Sequence, residues 1–197
     1  MWDAWMVSLS DSYAKVLDEL SAGRQKEAAA EFRGHFLQTV KKLYTEASQT
    51  YPTRFSKIND WCAWARGLYT LTMQADRALA ASSPDAPKLI ESLRQHFYAL
   101  HKETDTLSVS DAIYAFRVEA AATSPSIERL KSLRQAVSTA RPSVKSRLDN
   151  AAFTTAQAKW AKTVDAALQQ ASLAPADLRT LREATETFYR GYGVQME

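Results

Sequence analysis

Cysteine is almost missing from this chain. One copy, Cys62, in 197 residues excludes an internal disulfide and any zinc or iron–sulfur site that needs several thiolates from one chain. Glycine is nearly as scarce: five residues, scattered singly apart from Gly191 and Gly193, leave no loop that could cradle a phosphate. No Gly-x-Ser-x-Gly elbow presents a serine nucleophile, and no Cys-x-x-Cys-His motif attaches a haem. Glu-x-x-His does not occur, which removes the ferritin-like di-iron pattern. No apolar run approaches the roughly 18 residues of a membrane span. An excess of one charge is lacking as well. With 25 Lys and Arg against 22 Asp and Glu, both signs interspersed, the +3 balance describes a solvated surface and argues against nucleic-acid binding.

What is present is helical periodicity. With 46% hydrophobic and 24% charged residues the chain can bury a sizeable core. Trp2, Trp5, Met6, Leu9, Tyr13, Val16, Leu17 and Leu20 follow the i, i+3, i+4, i+7 rule of a one-sided amphipathic helix. Ser21-Ala22-Gly23 breaks it, with Gly23 suited to the left-handed position past a helix end. A second helix runs through Ala28, Phe32, Phe36, Val40, Leu43 and Tyr44, and Gly34 within it predicts a close approach of helices. Tyr51-Pro52-Thr53 ends it, and Thr53 or Ser56 is expected to cap a helix running through Phe55, Ile58, Trp61 and Trp64 to about Ala81. The returning arm carries Leu89, Ile90, Leu93, Phe97 and Leu100.

Polar residues 105–110 separate a hairpin pair at 1–107 from C-terminal helices at 108–197, which are expected to pack on it as one continuous domain. Ser124-Pro125 and Arg141-Pro142-Ser143 each predict a cap followed by Pro at the first helical position. Ala174-Pro175 opens the last helix, which Gly191 and Gly193 are expected to end. No period-two alternation is bounded by turns, so the chain reads as all-α. Long arms and short breaks predict an up-and-down bundle of about seven to eight helices.

One pattern recurs. Trp5 with Leu9 precedes Phe32 and Phe36; Trp64 with Leu68 precedes Leu93 and Phe97; Trp160 with Val164 precedes Leu181 and Phe188. Each reads as a Trp-anchored helical hairpin. Ser92-Leu93-Arg94-Gln95 also recurs as Ser132-Leu133-Arg134-Gln135, an echo that short Leu- and Arg-rich helices produce readily.

Two constellations could carry function. Aromatic residues between helices could line an apolar groove, with Trp5, Trp64, Tyr98 and His96 as ligand-binding candidates, although rings at helical spacing are more often plain core. Trp2, Trp5 and Met6 at the chain start, if frayed, could dock on a partner helix or a membrane surface. Alternatively His35 and His96, at matching hairpin positions, could join Glu31 in an imidazole–carboxylate metal site. Cys62, on an apolar face beside Trp61, is expected to be a buried, inert thiol.

The expected function is thus a non-enzymatic, soluble binding module that holds a protein partner or a small ligand between helices. A metal-binding or redox accessory protein using His35, His96 and a nearby carboxylate is the alternative, and a purely structural assembly component the third reading. Met1 leads directly into a helix, without a basic stretch, an apolar stretch and a cleavage site. With Ala, Ser, Thr and Gln frequent in the later helices, the sequence leans toward an exported, periplasmic protein over a cytosolic one.

Overall fold

The computed structural model describes residues 2–47, 57–139, 150–170 and 172–196. They form a helical bundle, and no strand occurs among them. The elements are α1 (Trp2–Ser21), α2 (Gln25–Glu31), a π-helical turn (Phe32–Phe36), α3 (Leu37–Glu46), α4 (Trp61–Ala80) and α5 (Ala86–Thr104), followed by α6 (Val109–Ala121), α7 (Ile127–Thr139), α8 (Asn150–Leu168), α9 (Pro175–Phe188) and a second π-helical turn (Tyr189–Gly193). With α2, its π turn and α3 counted as one continuous rod, the described residues make eight helices. None is long and apolar enough to cross a membrane among those residues.

The helices gather into two compact units, Met1–Thr106 with Gln195–Glu197, and Leu107–Val194. In the first, each helix packs on its neighbour in the chain: α1 on the α2–α3 rod, that rod on α4, and α4 on α5. The stripe Trp5, Met6, Leu9, Tyr13 and Val16 is the buried face of α1, as its periodicity predicts. Beyond Ser21 the chain turns through Gly23 at φ +73°, while the Arg24 amide donates to the Glu19 carbonyl at 2.9 Å. That six-to-one bond closes the helix end and requires a residue tolerant of the left-handed region. The chain end is tied in by the Met196 amide, which donates to the buried Ser10 hydroxyl at 2.8 Å.

In the second unit, α6 packs on α7, α7 on α8 and α8 on α9, and α9 returns to α6. Arg182 on α9 donates to the carbonyls of Ala120 (2.6 Å) and Ala122 (2.8 Å), satisfying the end of α6 with a cation where the helix dipole favours one. Glu186 accepts from Arg117 at 2.7 Å and from Arg190 at 2.9 Å. Burial alone would push its carboxyl up, but the two guanidinium bonds outweigh that and hold it below the ordinary carboxylate range.

Several local expectations are corrected. Helix α4 begins at Trp61, where the Asp60 carboxylate accepts from the Ala63 amide at 2.9 Å; Ile58 lies before the helix, and Phe55, Thr53 and Ser56 lie outside the described residues. A shorter α4 presents Trp61, Trp64, Ala65 and Leu68 inward and leaves Cys62 exposed, not buried. Helix α7 is capped by Ser126, whose hydroxyl accepts from the Arg129 amide, two residues beyond Ser124. Ser108, by contrast, caps α6 in a full capping box with Asp111. Arg141-Pro142-Ser143 lies outside the described residues. Gly34 faces open space and marks no close approach. Nor does Gly193 simply end a helix. It closes the second π turn, where an added Cβ would collide with the Tyr189 ring and stand 2.8 Å from Ile113 Cγ2.

Candidate functional site

The first unit holds a column of aromatic rings. Spacing of three along α4 brings Trp61 and Trp64 onto one face, where their rings stack at 5.0 Å and 17°. The next ring is His96 of α5, stacked on Trp64 at 5.0 Å and 16°. Phe97 meets Trp64 edge-on at 5.2 Å, and Trp2 of α1 meets Trp61 edge-on at 5.3 Å. Reciprocal polar contacts fix the Trp64–His96 pair: the Trp64 indole N–H reaches the His96 carbonyl at 3.4 Å, while His96 Nε2 lies 3.0 Å from the Trp64 carbonyl. A carbonyl only accepts, so the neutral imidazole carries its proton on Nε2.

Gly67 makes the approach feasible. A Cβ there would lie 3.1 Å from His96 Cε1, so the close approach predicted for Gly34 is found at Gly67.

Burial holds the His96 pKa below the ordinary imidazole value, only partly opposed by the bond to the Trp64 carbonyl. The folded state therefore binds fewer protons than the unfolded chain. Its contribution to stability is fully present above the unfolded value of about 6.5 and is lost as pH falls through that value toward the lower, folded one. Denaturant unfolding of wild type and His96→Gln at about pH 7.5 and about pH 5.5 should show a smaller acid loss in the variant. Equal losses would show that His96 is not held neutral by the fold.

Of the four ligand-binding candidates, Trp64 and His96 are thus brought together. Trp5 is 7% exposed on the buried face of α1, and Tyr98 is partly exposed on α5, on the helix face next to that of Phe97. Both indoles of α4 are packed away from solvent: Trp61 is 4% and Trp64 9% exposed. The start of α1 is not a frayed aromatic end, because Trp5 and Met6 are buried and Trp2 packs on Trp61. The second unit repeats the behaviour. Trp160 is buried between Phe116, edge-on at 4.9 Å, and Phe188, stacked at 5.1 Å, and its indole N–H donates to Thr185 Oγ1 at 3.2 Å.

The residues of the metal reading are not all brought together. His35 Nδ1 stands 3.2 Å from Glu31, one helical turn away across the π turn, whereas His96 is engaged on Trp64. Among the described residues no group of three or more His, Cys, Asp and Glu is arranged to hold a metal ion. A cleft of about 370 Å³ opens between α2 and the end of α4, lined by Lys26, Ala29, Arg33, Leu79 and Ser82. It has no aromatic wall, and Arg33 on its rim is already bound bidentately to Asp76 at 2.9 and 3.0 Å.

A second aromatic pair escaped the sequence reading. Tyr44 of α3 stacks on Tyr69 of α4 at 4.8 Å and 11°, with Tyr44 39% exposed and Tyr69 partly so. The available signal was its offset: Val40, Leu43 and Ala47 make the buried stripe of α3, and Tyr44 stands one position off it, between Lys41, Lys42 and Thr45. Fully buried Arg94 on α5 was also missed as a core residue, and its echo Arg134 differs, being bound bidentately to Asp165 at 2.9 and 2.7 Å. Compared with protein-family models, curated proteins and solved structures, the chain matches none.

Proposed function

We propose that this chain is a non-catalytic binding module that engages a protein partner on the outer face of α3 and α4, with the indoles between helices acting as packing. The observation that carries this reading is the Tyr44–Tyr69 stack, two large amphipathic side chains ordered against each other at the surface. Tyrosine is enriched in protein interfaces because it supplies contact area, a hydrogen-bonding tip and little rotamer entropy to lose. A small ligand between helices has less in its favour, since burial of Trp61, Trp64 and Trp160 already fills those seams. The metal alternative keeps only the pair His35 and Glu31.

A photo-crosslinking amino acid at position 44, with exposed Lys131 as the control position, tests the proposal in cells. One discrete protein adduct at 44, absent at 131 and re-formed from purified components, is the expected result. No adduct at 44, or the same adducts at both positions, contradicts it.

Export to the periplasm is retained as part of the proposal, on the composition of the later helices. The exposed Cys62 thiol supplies its own probe. A maleimide excluded by the inner membrane should label Cys62 in intact cells, and labelling only after lysis would assign the chain to the cytosol.

A further inference from the structure

We infer that the face centred on Tyr44 and Tyr69 takes an acidic protein segment, gripped by Lys41 and Arg66 around the stacked rings. This inference rests on the binding-module reading above and names the partner's chemistry.

Two contacts fix the layout. Arg33 pairs with Asp76 and Tyr44 with Tyr69, so residue numbers rise along one rod as they fall along the other, and α3 and α4 run antiparallel. Lys41 lies one turn before Tyr44 and Arg66 one turn before Tyr69. In an antiparallel pair those two cations fall on opposite sides of the ring stack and bracket it.

Both cations are exposed, and none of the ion pairs or hydrogen bonds among the described residues engages their side-chain nitrogens. The contrast with other cations of this chain is direct. Arg24 meets Glu19, Lys57 meets Asp105, Arg129 meets Glu119, and Arg117 and Arg190 share Glu186. Of the carboxylates on these two helices, Asp76 is paired with Arg33, and none is paired with Lys41 or Arg66 among the described residues. The face therefore presents uncompensated positive charge around an aromatic centre, and its electrostatic complement is a segment carrying Asp or Glu beside apolar residues.

The rings favour the same partner. Stacking on each other occupies one face of each tyrosine, and the ring edge and phenol hydroxyl of a tyrosine are the electropositive and hydrogen-bonding parts that meet carboxylates. A single-stranded nucleic acid needs open ring faces on which successive bases stack.

The test is fluorescence anisotropy with a labelled peptide of repeated Glu-Glu-Leu-Phe units, its Gln-for-Glu counterpart, oligo-dT, and vesicles of phosphatidylcholine with phosphatidylserine. The full chain should bind the Glu peptide at least about tenfold more tightly than the Gln peptide, and more tightly than either other probe. Added salt should weaken that binding, because exposed charges are screened. Lys41→Glu with Arg66→Glu should weaken it at least about tenfold, with the circular dichroism spectrum unchanged, whereas Lys131→Glu with Lys159→Glu should leave it intact. Equal affinity for the Gln peptide, insensitivity to salt, equal weakening by both charge-reversed pairs, or tighter binding to oligo-dT or vesicles overturns the inference. If the adduct at position 44 forms but survives Lys41→Glu with Arg66→Glu, the acidic-partner inference alone fails; if no adduct forms, the binding-module reading itself fails.

Discussion

Trp64→Ala should destabilise the first unit by about 3–5 kcal/mol, the cost of deleting a buried tryptophan where surroundings collapse only in part. The local geometry places this side chain at the high end. Its ring is stacked by both Trp61 and His96, and Phe97 closes on it edge-on. Those neighbours are held by α4 and α5, whose mutual packing fixes their spacing. Truncation also removes the indole bond to the His96 carbonyl and leaves the imidazole without the ring that positions it. Urea unfolding followed by far-UV circular dichroism measures the loss. A cost below about 1 kcal/mol would mean that the indole borders open space, and would return Trp64 to the list of receptor residues.

Trp160→Ala should cost the second unit a similar amount, about 3–5 kcal/mol. Here the truncation opens a void between Phe116 and Phe188 and takes away the donor to Thr185 Oγ1. Thr185 is 1% exposed, so its hydroxyl loses a partner where water does not easily replace it. Trp160→Phe restores most of the apolar volume but not the bond, and should recover most of the loss. If the Phe variant is no more stable than the Ala variant, the hydrogen bond and not the packing carries this position.

These positions also show what the sequence could reveal. Spacings of three and four along Trp61, Trp64 and Leu68, or along Leu93 and Phe97, identify the buried face of a helix, because burial of one stripe is a property of the helix itself. Helix ends were legible where the cap is one strong local device, as at Gly23, and misplaced where several caps compete, as at Asp60 and Ser126. Which side chains meet between helices was not legible. Nothing local says that Gly67 and not Gly34 meets another helix, that Arg94 is buried while Arg134 takes Asp165, or that Tyr44 finds Tyr69. Each of those facts depends on which rods become neighbours. The candidate site was accordingly legible only in its parts: Trp64 and His96 were each singled out, but not as partners for each other, and Tyr44 was not set against Tyr69.

The division of labour between buried indoles and exposed tyrosines is tested most directly by nuclear magnetic resonance of the aromatic side chains during titration with the Glu-Glu-Leu-Phe peptide. The five tryptophans give five indole N–H signals, and selective labelling resolves the tyrosine rings. Ring signals of Tyr44 and Tyr69 should shift as peptide is added, while the indole N–H of Trp64 and of Trp160 stays in place. Shifts at Trp64 with the two tyrosines unmoved would contradict the account, and would locate binding between the helices.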